Sequence, residues 1–259
     1  MSEQHIVTDV QDAVMTIRMN RADKKNAVTT AMYEGLTAAF RAATADPAVR
    51  VVLLTGSGDS FSSGNDLVDF LKNTPTNATD SPVMQFMATL SQFAKPVVAA
   101  VNGVAIGVGV TVLLHCDLVY ATASARFQLP FTSIGICPEF GSTLLLPTMI
   151  GHQRAAELVM LGEAFDANKA KEVSLVNAVL PDVEQLLAHA QAIANKLALQ
   201  PPNALRTAKA LLRRWPQAAV TEAIRVEAEF FMPMLKMPEA LEAIGAFMQK
   251  RKPDFSKFS

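Results

Sequence analysis

Two glycine-bearing segments hold the residues best spaced to do chemistry: Phe61-Ser62-Ser63-Gly64-Asn65-Asp66-Leu67 and Asn102-Gly103-Val104-Ala105-Ile106-Gly107-Val108-Gly109. Each follows an apolar run, Val51-Val52-Leu53-Leu54 in one case and Val97-Val98-Ala99-Ala100-Val101 in the other. Each leads into a segment able to start a helix. Strand, turn and helix in that order aim unpaired backbone N–H groups at one point. Two such turns side by side put two donors on one oxygen, an oxyanion hole, which suits reaction at a carbonyl whose oxygen gains negative charge.

Further segments accompany the turns in a fixed order. Asn20-Arg21-Ala22-Asp23-Lys24-Lys25-Asn26-Ala27 comes before them, and Cys116-Asp117-Leu118, Gly162-Glu163 and Ala178-Val179 follow. Gln200-Pro201-Pro202 through Lys209 and Ala246-Phe247-Met248-Gln249-Lys250-Arg251 close the series. Together they resemble the crotonase superfamily, the enoyl-CoA hydratases and isomerases that stabilise thioester enolates. The resemblance implies an α/β fold: a crotonase-type spiral of ββα units over residues 1–198, then a C-terminal helical region, 199–259, used in trimerisation. It implies an acyl-CoA thioester as substrate, with coenzyme A part of that substrate and no separate cofactor.

Carried onto this chain, the resemblance makes the backbone N–H groups of Asn65 and Val108 the two oxyanion donors. Because the donors are main-chain, a valine can serve between Gly107 and Gly109. The bland reading of those glycines is close helix packing. Ser63, Asp66, Leu67 and Gly107 belong to the same turns and are expected beside the substrate. Asp66 equally suits a helix cap, the role its residue type favours.

The carboxylates decide the reaction, because a fold does not. The resemblance places the two hydratase glutamates at Thr111 and Phe131, both on the substrate side, and neither can exchange a proton near neutral pH. Adding water across a double bond needs one group to activate water and another to supply a proton. Glu139, in Ile136-Cys137-Pro138-Glu139-Phe140-Gly141-Ser142, remains. Pro138-Glu139 resembles the peroxisomal-type 3,2-trans-enoyl-CoA isomerase branch, in which one glutamate shuttles the proton. The implied reaction moves a double bond from C3 to C2 through a dienolate. Apolar neighbours (Ile136, Phe140, Phe131, Leu144) should raise the Glu139 pKa. The alternative for Glu139 is a helix-start residue after a proline. Other CoA-ester chemistry on this scaffold, such as thioester hydrolysis or a different isomerisation, also stays open, with Thr111, Thr132 and Ser142 as its polar groups. So does a catalytically silent acyl-CoA-binding subunit.

The resemblance assigns Lys24, beside Lys25, and the Phe247–Lys250 pair to the CoA moiety. Leu67, Leu71, Met84, Met87, Phe131 and Phe140 are candidates for an acyl tunnel, although Met and Leu at helical spacing also describe ordinary core. The histidines, at 5, 115, 152 and 189, give no metal-ligand spacing. His115-Cys116-Asp117, read as strand, would point to alternate faces and not converge. Cys137 reads as a small apolar filler.

The elements that position these residues follow from patterning. Val14 to Met19 alternates as a strand, Thr29 caps a helix reaching Arg41, and Val51 to Thr55 is a buried strand. Residues 72–82, polar with two prolines, read as a surface loop, and a helix runs from Val83 to Phe93. Cys116 to Leu129 reads as a strand pair. Helices are expected over 155–161, 167–172, 183–199 and 204–213, between Pro216 and Pro233, and from Pro238. Strand–helix alternation followed by helices alone predicts an α/β core with a helical extension.

Composition bounds the rest. Half of the 259 residues are hydrophobic and the mean hydropathy is +0.23. The longest apolar stretch, Pro96 to Leu114, is broken by Asn102 and three glycines, so no bilayer span is expected. The surplus apolar surface predicts subunit contacts, and the resemblance implies a homotrimer or dimer of trimers. A net charge of −1 gives no bulk attraction for nucleic acid. Two cysteines make no disulfide framework, the first residues lack a secretory pattern and the last three are not a peroxisomal signal, so a cytoplasmic location is expected.

Overall fold

The computed structural model describes residues 4–72, 81–249 and 251–258, with side chains except at 70–72. Its strands, in chain order, are β1 (Ile6–Gln11), β2 (Val14–Met19), β3 (Val51–Gly56), β4 (Ser60–Ser62), β5 (Val97–Val101), β6 (Val104–Ile106), β7 (Leu118–Thr122), β8 (Arg126–Gln128), β9 (Phe165–Asp166) and β10 (Ala178–Leu180). Its helices are α1 (Thr30–Ala45), α2 (Leu67–Lys72), α3 (Pro82–Ser91), α4 (Val108–Thr111), α5 (Ser142–Ile150), α6 (His152–Ala156), α7 (Ala167–Glu172), α8 (Val183–Ala198), α9 (Pro202–Arg214), α10 (Gln217–Met234) and α11 (Pro238–Met248).

One sheet has the order β1-β2-β3-β5-β7-β10 and the other β4-β6-β8-β9. Among the described residues only β1 and β9 pair antiparallel with their neighbours. The pairs β3–β4, β5–β6 and β7–β8 therefore each give one strand to each sheet before the chain turns helical. That is a repeating ββα turn, the expected spiral. The Cys116–Leu129 region corrects one expectation: its strands do not pair with each other but divide between the sheets.

The apolar runs make central strands because both faces are covered. Val51 and Leu53 pack with Leu186, Ala190 and Ala194 of α8, while Val52 and Leu54 face Met32, Leu36 and Phe40 of α1. In α1 the expected cap is present: Thr29 Oγ1 accepts from Met32 N at 3.3 Å. The expected helices form with shifted ends. Pro233 lies inside α10 instead of ending it, and residues after α6 widen into a π-helical turn, Glu157–Leu161. Most of the expected 72–82 loop, residues 73–80, lies outside the described residues; Ser81 already caps α3.

The last helices are tied to the core by charge. On α9, Lys209 Nζ donates to Asp117 Oδ2 at 2.7 Å and to Lys95 O at 2.6 Å, and Arg213 pairs with Asp117 at 3.2 Å. Asp117 Oδ2 also accepts from Val97 N, anchoring the start of β5. His115 sits in a 3-10 turn, not a strand, which corrects the reason given for its separation from Cys116 and Asp117. The three still diverge: His115 reaches Phe140, Cys116 Sγ reaches Val112 O, and Asp117 reaches α9. Among the described residues no helix is long and apolar enough to cross a membrane.

Candidate active site

The two glycine turns touch. Parallel pairing of β4 with β6 sets Ser60 beside Val104 and Ser62 beside Ala105. A Cβ on Gly64 would lie 2.9 Å from Ile106 O, and one on Gly109 would lie 2.5 Å from Ser62 O. Any larger residue at either position would push the turns apart. Val28 N donates to Gly64 O and Asp66 N to Val28 O, so the backbone is pinned on both sides of Asn65. Gly107 N donates to Gln128 O, and Gly107 O accepts from Val110 N and Thr111 N, which starts α4 at Val108. Among the described residues the backbone N–H groups of Asn65 and Val108 have no hydrogen-bond partner.

Glu139 is 6 % exposed. It shares an apolar cleft of about 500 Å³ with Asn65, Val83, Met84 and Met87 of α3, Phe140, and Ile224, Ala228, Phe231 and Met232 of α10. Thr111 Oγ1 donates to Glu139 Oε1 at 2.5 Å. Burial raises the Glu139 pKa, the Thr111 bond opposes this, and the nearby Glu227 charge adds to it, leaving the carboxyl at about 8. The rise has the direction that its apolar neighbours imply.

The loop carrying Glu139 is held tightly. Phe140 adopts φ +63°, the left-handed region that costs a bulky side chain energy. Its ring stacks on His115 at 4.0 Å, and His115 Nε2–H donates to its carbonyl at 2.7 Å. A carbonyl only accepts, so this nitrogen carries the proton. Burial lowers the His115 pKa to about 4, keeping the ring neutral.

The turn residues have varied placements. Val108 is buried and lines a second cavity, with Ser62, Tyr33 and Gly109, that shares no lining residue with the Glu139 cleft. Asp66 serves the fold: its Oδ2 accepts from Arg21 Nη1 at 2.7 Å, and its Oδ1 accepts from Val68 N and Asp69 N, capping α2. Burial pushes its carboxyl up, but these donors outweigh it and hold the pKa below the ordinary value. These contacts give Asp66 the capping role that its residue type favours. Ser63 is half-buried, with its N–H bonded to Lys25 O; Leu67 begins α2.

Of the tunnel candidates, Met84, Met87 and Phe140 line the cleft, whereas Leu67 and Phe131 do not. Phe131 is core, and the Leu71 side chain lies outside the described residues. Lys24 is exposed beside Asp23, Phe247 is 70 % exposed on α11, and Lys250 lies outside the described residues. Among the described residues no cluster of His, Cys, Asp and Glu could hold a metal ion.

Two polar residues at the site escaped sequence reasoning. Tyr33 Oη donates to Asn65 Oδ1 at 2.6 Å, from a helix face whose other members are plain core. Burial, and then the Glu139 charge, raise its phenol well above the ordinary range. No sequence signal distinguishes it from its neighbours. Glu227 did leave one: it occupies a buried stripe of α10 with Val220, Ile224 and Phe231, where a carboxylate is out of place unless it is partnered.

Residues 9–257 match the enoyl-CoA hydratase/isomerase family. The chain is 34 % identical to 2,3-dehydroadipyl-CoA hydratase of Escherichia coli K12 over 98 % of this chain and 99 % of that one. It is 36 % identical to enoyl-CoA delta isomerase 2 of Homo sapiens over 95 % of this chain and 64 % of that protein. A crystal structure of an enoyl-CoA hydratase/isomerase from Pseudoalteromonas atlantica T6c superposes with a TM-score of 0.92 at 37 % identity, covering 97 % of this chain and all of the other.

Proposed function

The chain belongs to the enoyl-CoA hydratase/isomerase family, and on that premise we propose that it isomerises 3-enoyl-CoA to 2-enoyl-CoA with one base. The observation that carries this reading is that Glu139, buried, is the one carboxyl among the described residues lining the cleft, which it shares with Asn65. Ionised Glu139 takes a proton from C2. The C–H electron pair becomes the C1–C2 π bond of a dienolate whose charge rests on the thioester oxygen, against the Asn65 and Val108 N–H groups. Protonated Glu139 then returns the proton to C4, and the double bond reforms between C2 and C3. A pKa of about 8 suits a group that must both take and release a proton. Against hydration stand Thr111 and Phe131 at the hydratase positions: Thr111 serves Glu139, and Phe131 is core.

The acyl group we propose is aliphatic and uncharged at its far end. Beyond Asn65, Ser81 and Glu139, the described residues lining the cleft are all apolar, and none is cationic. A terminal carboxylate would enter without a partner there. Exposed apolar side chains on the C-terminal helices, Leu212 and Trp215 of 82 % and 85 % exposure and Phe247 among them, suit burial against further copies of the chain. We propose a trimer or dimer of trimers assembled through residues 199–259.

The test is isomerisation of an aliphatic 3-enoyl-CoA followed by ultraviolet absorbance of the conjugated product. Wild type should turn over, Glu139→Gln should not, and neither should hydrate 2-enoyl-CoA. Hydration by wild type, or isomerisation that survives in Glu139→Gln, sinks the one-base reading.

A further inference from the structure

Glu227 lies on the buried face of α10 and grips the Glu139 loop on both sides. Its Oε2 accepts from Gly141 N at 2.6 Å, and its Oε1 accepts from Thr143 N at 2.9 Å and Thr143 Oγ1 at 2.5 Å. Its own carbonyl takes the Cys137 thiol at 3.7 Å. Residues 137, 141 and 143 thus all hang on one residue of a distant helix, with Glu139 at the centre of the span. We infer that Glu227 is a positioning residue for the Glu139 base, clamping its loop and holding a second negative charge against it. This role in turnover rests on the proposed isomerisation; the clamp does not.

Two buried carboxyls of which one raises the pKa of the other through its charge do not both ionise freely. Burial raises the pKa of each, but their donors differ. Both Glu227 oxygens face N–H or O–H donors, so a proton there would compete with them. Glu139 has one donor, Thr111. Glu227 is therefore the ionised member and Glu139 the one that holds the exchangeable proton. The other titratable groups facing the pair are neutral: Tyr33 from α1, with its phenol raised; Cys137, with its thiol raised to about 11 by burial and the two glutamates; and His115 from the turn after α4. No cation touches either carboxyl among the described residues. The Glu227 charge thus acts unopposed to keep Glu139 a strong base.

The experiment is an infrared titration of the buried protonated carboxyl in wild type, Glu139→Gln, Glu227→Gln and Glu227→Asp. Loss of the band in Glu139→Gln assigns it. In Glu227→Gln it should titrate lower by about one pH unit or more, and the rising limb of kcat/KM should move with it. Glu227→Asp, which keeps the charge, should keep the titration near the wild-type pH while kcat falls. An unchanged Glu139 titration in Glu227→Gln overturns the proposal, since a merely structural residue would lower kcat without moving it. If Glu227→Gln does not fold, Glu139→Gln still decides, because it leaves the clamp intact. Glu227, the ionised member, should then show no protonated carboxyl band at neutral pH, and a band that persists there overturns the proposal. The infrared readout needs no turnover, so a wild type that fails to isomerise removes the functional reading and leaves the coupling test standing.

Discussion

Thr111 Oγ1 donates to Glu139 Oε1 at 2.5 Å, and both groups are buried. Where the resemblance would place a hydratase glutamate, this chain has a hydroxyl that steadies the Glu139 carboxyl. Thr111→Val keeps the shape and deletes the donor. Because that bond lowers the Glu139 pKa, its loss should move the rising limb of the pH–rate profile upward by about one unit or more. At neutral pH, kcat/KM should fall about tenfold or more. A limb that stays in place would show that the bond does not favour the ionised form.

Glu139 also ties stability to pH. Its folded-state pKa, about 8, lies above its ordinary value of 4.5. Between those values the folded protein binds more protons than the unfolded chain, so stability falls as pH rises through the window. Glu139→Gln removes this dependence. Its melting temperature should exceed wild type by a margin that grows from pH 5 to pH 9, while catalysis drops by about 10²–10⁴-fold. A margin constant with pH refutes the burial account.

Tyr33 Oη holds the Asn65 side chain at 2.6 Å, and its phenol stays protonated through the working range. Tyr33→Phe should lower kcat by several-fold to tenfold through looser placement of the Asn65 N–H, at a stability cost of about 1 kcal/mol. KM should change little. A fall in affinity for CoA esters at unchanged kcat would assign Tyr33 to binding instead.

Gly109 meets Ser62 O so closely that an added methyl has no room. Gly109→Ala must therefore separate the two turns. We expect a loss in kcat of about 10²–10³-fold, the scale of one misplaced oxyanion donor. Thermal unfolding should show destabilisation of about 1–3 kcal/mol from overpacking. Full activity would mean that the spacing of the turns does not matter to the chemistry.

The ββα core was legible because its signals are local. Val51 to Leu54 and Val97 to Val101 are short, valine-rich and apolar on successive residues, as suits a strand covered on both faces, and Thr29 marks the start of α1 by its own hydroxyl. The turn glycines were legible for the same reason. Asp66 shows the limit: residue type admitted a cap, which the structure shows, but gave no sign of the ion pair with Arg21, distant in sequence. Strand pairing over 116–129 failed because adjacency in sequence says nothing about which sheet a strand joins when each turn of the spiral feeds two.

The sequence by itself determined the strand–turn–helix units, the absence of a carboxylate at 111 and 131, and the presence of one at 139. Those are properties of short segments and of residue identity. Tertiary structure alone decided that Tyr33 reaches Asn65, that Thr111 and Glu227 bear on Glu139, and that Phe131 is core. Those relations join α1, α4, α5 and α10 across the core. They depend on burial and on side-chain direction at contacts distant in the chain, and no local pattern encodes either.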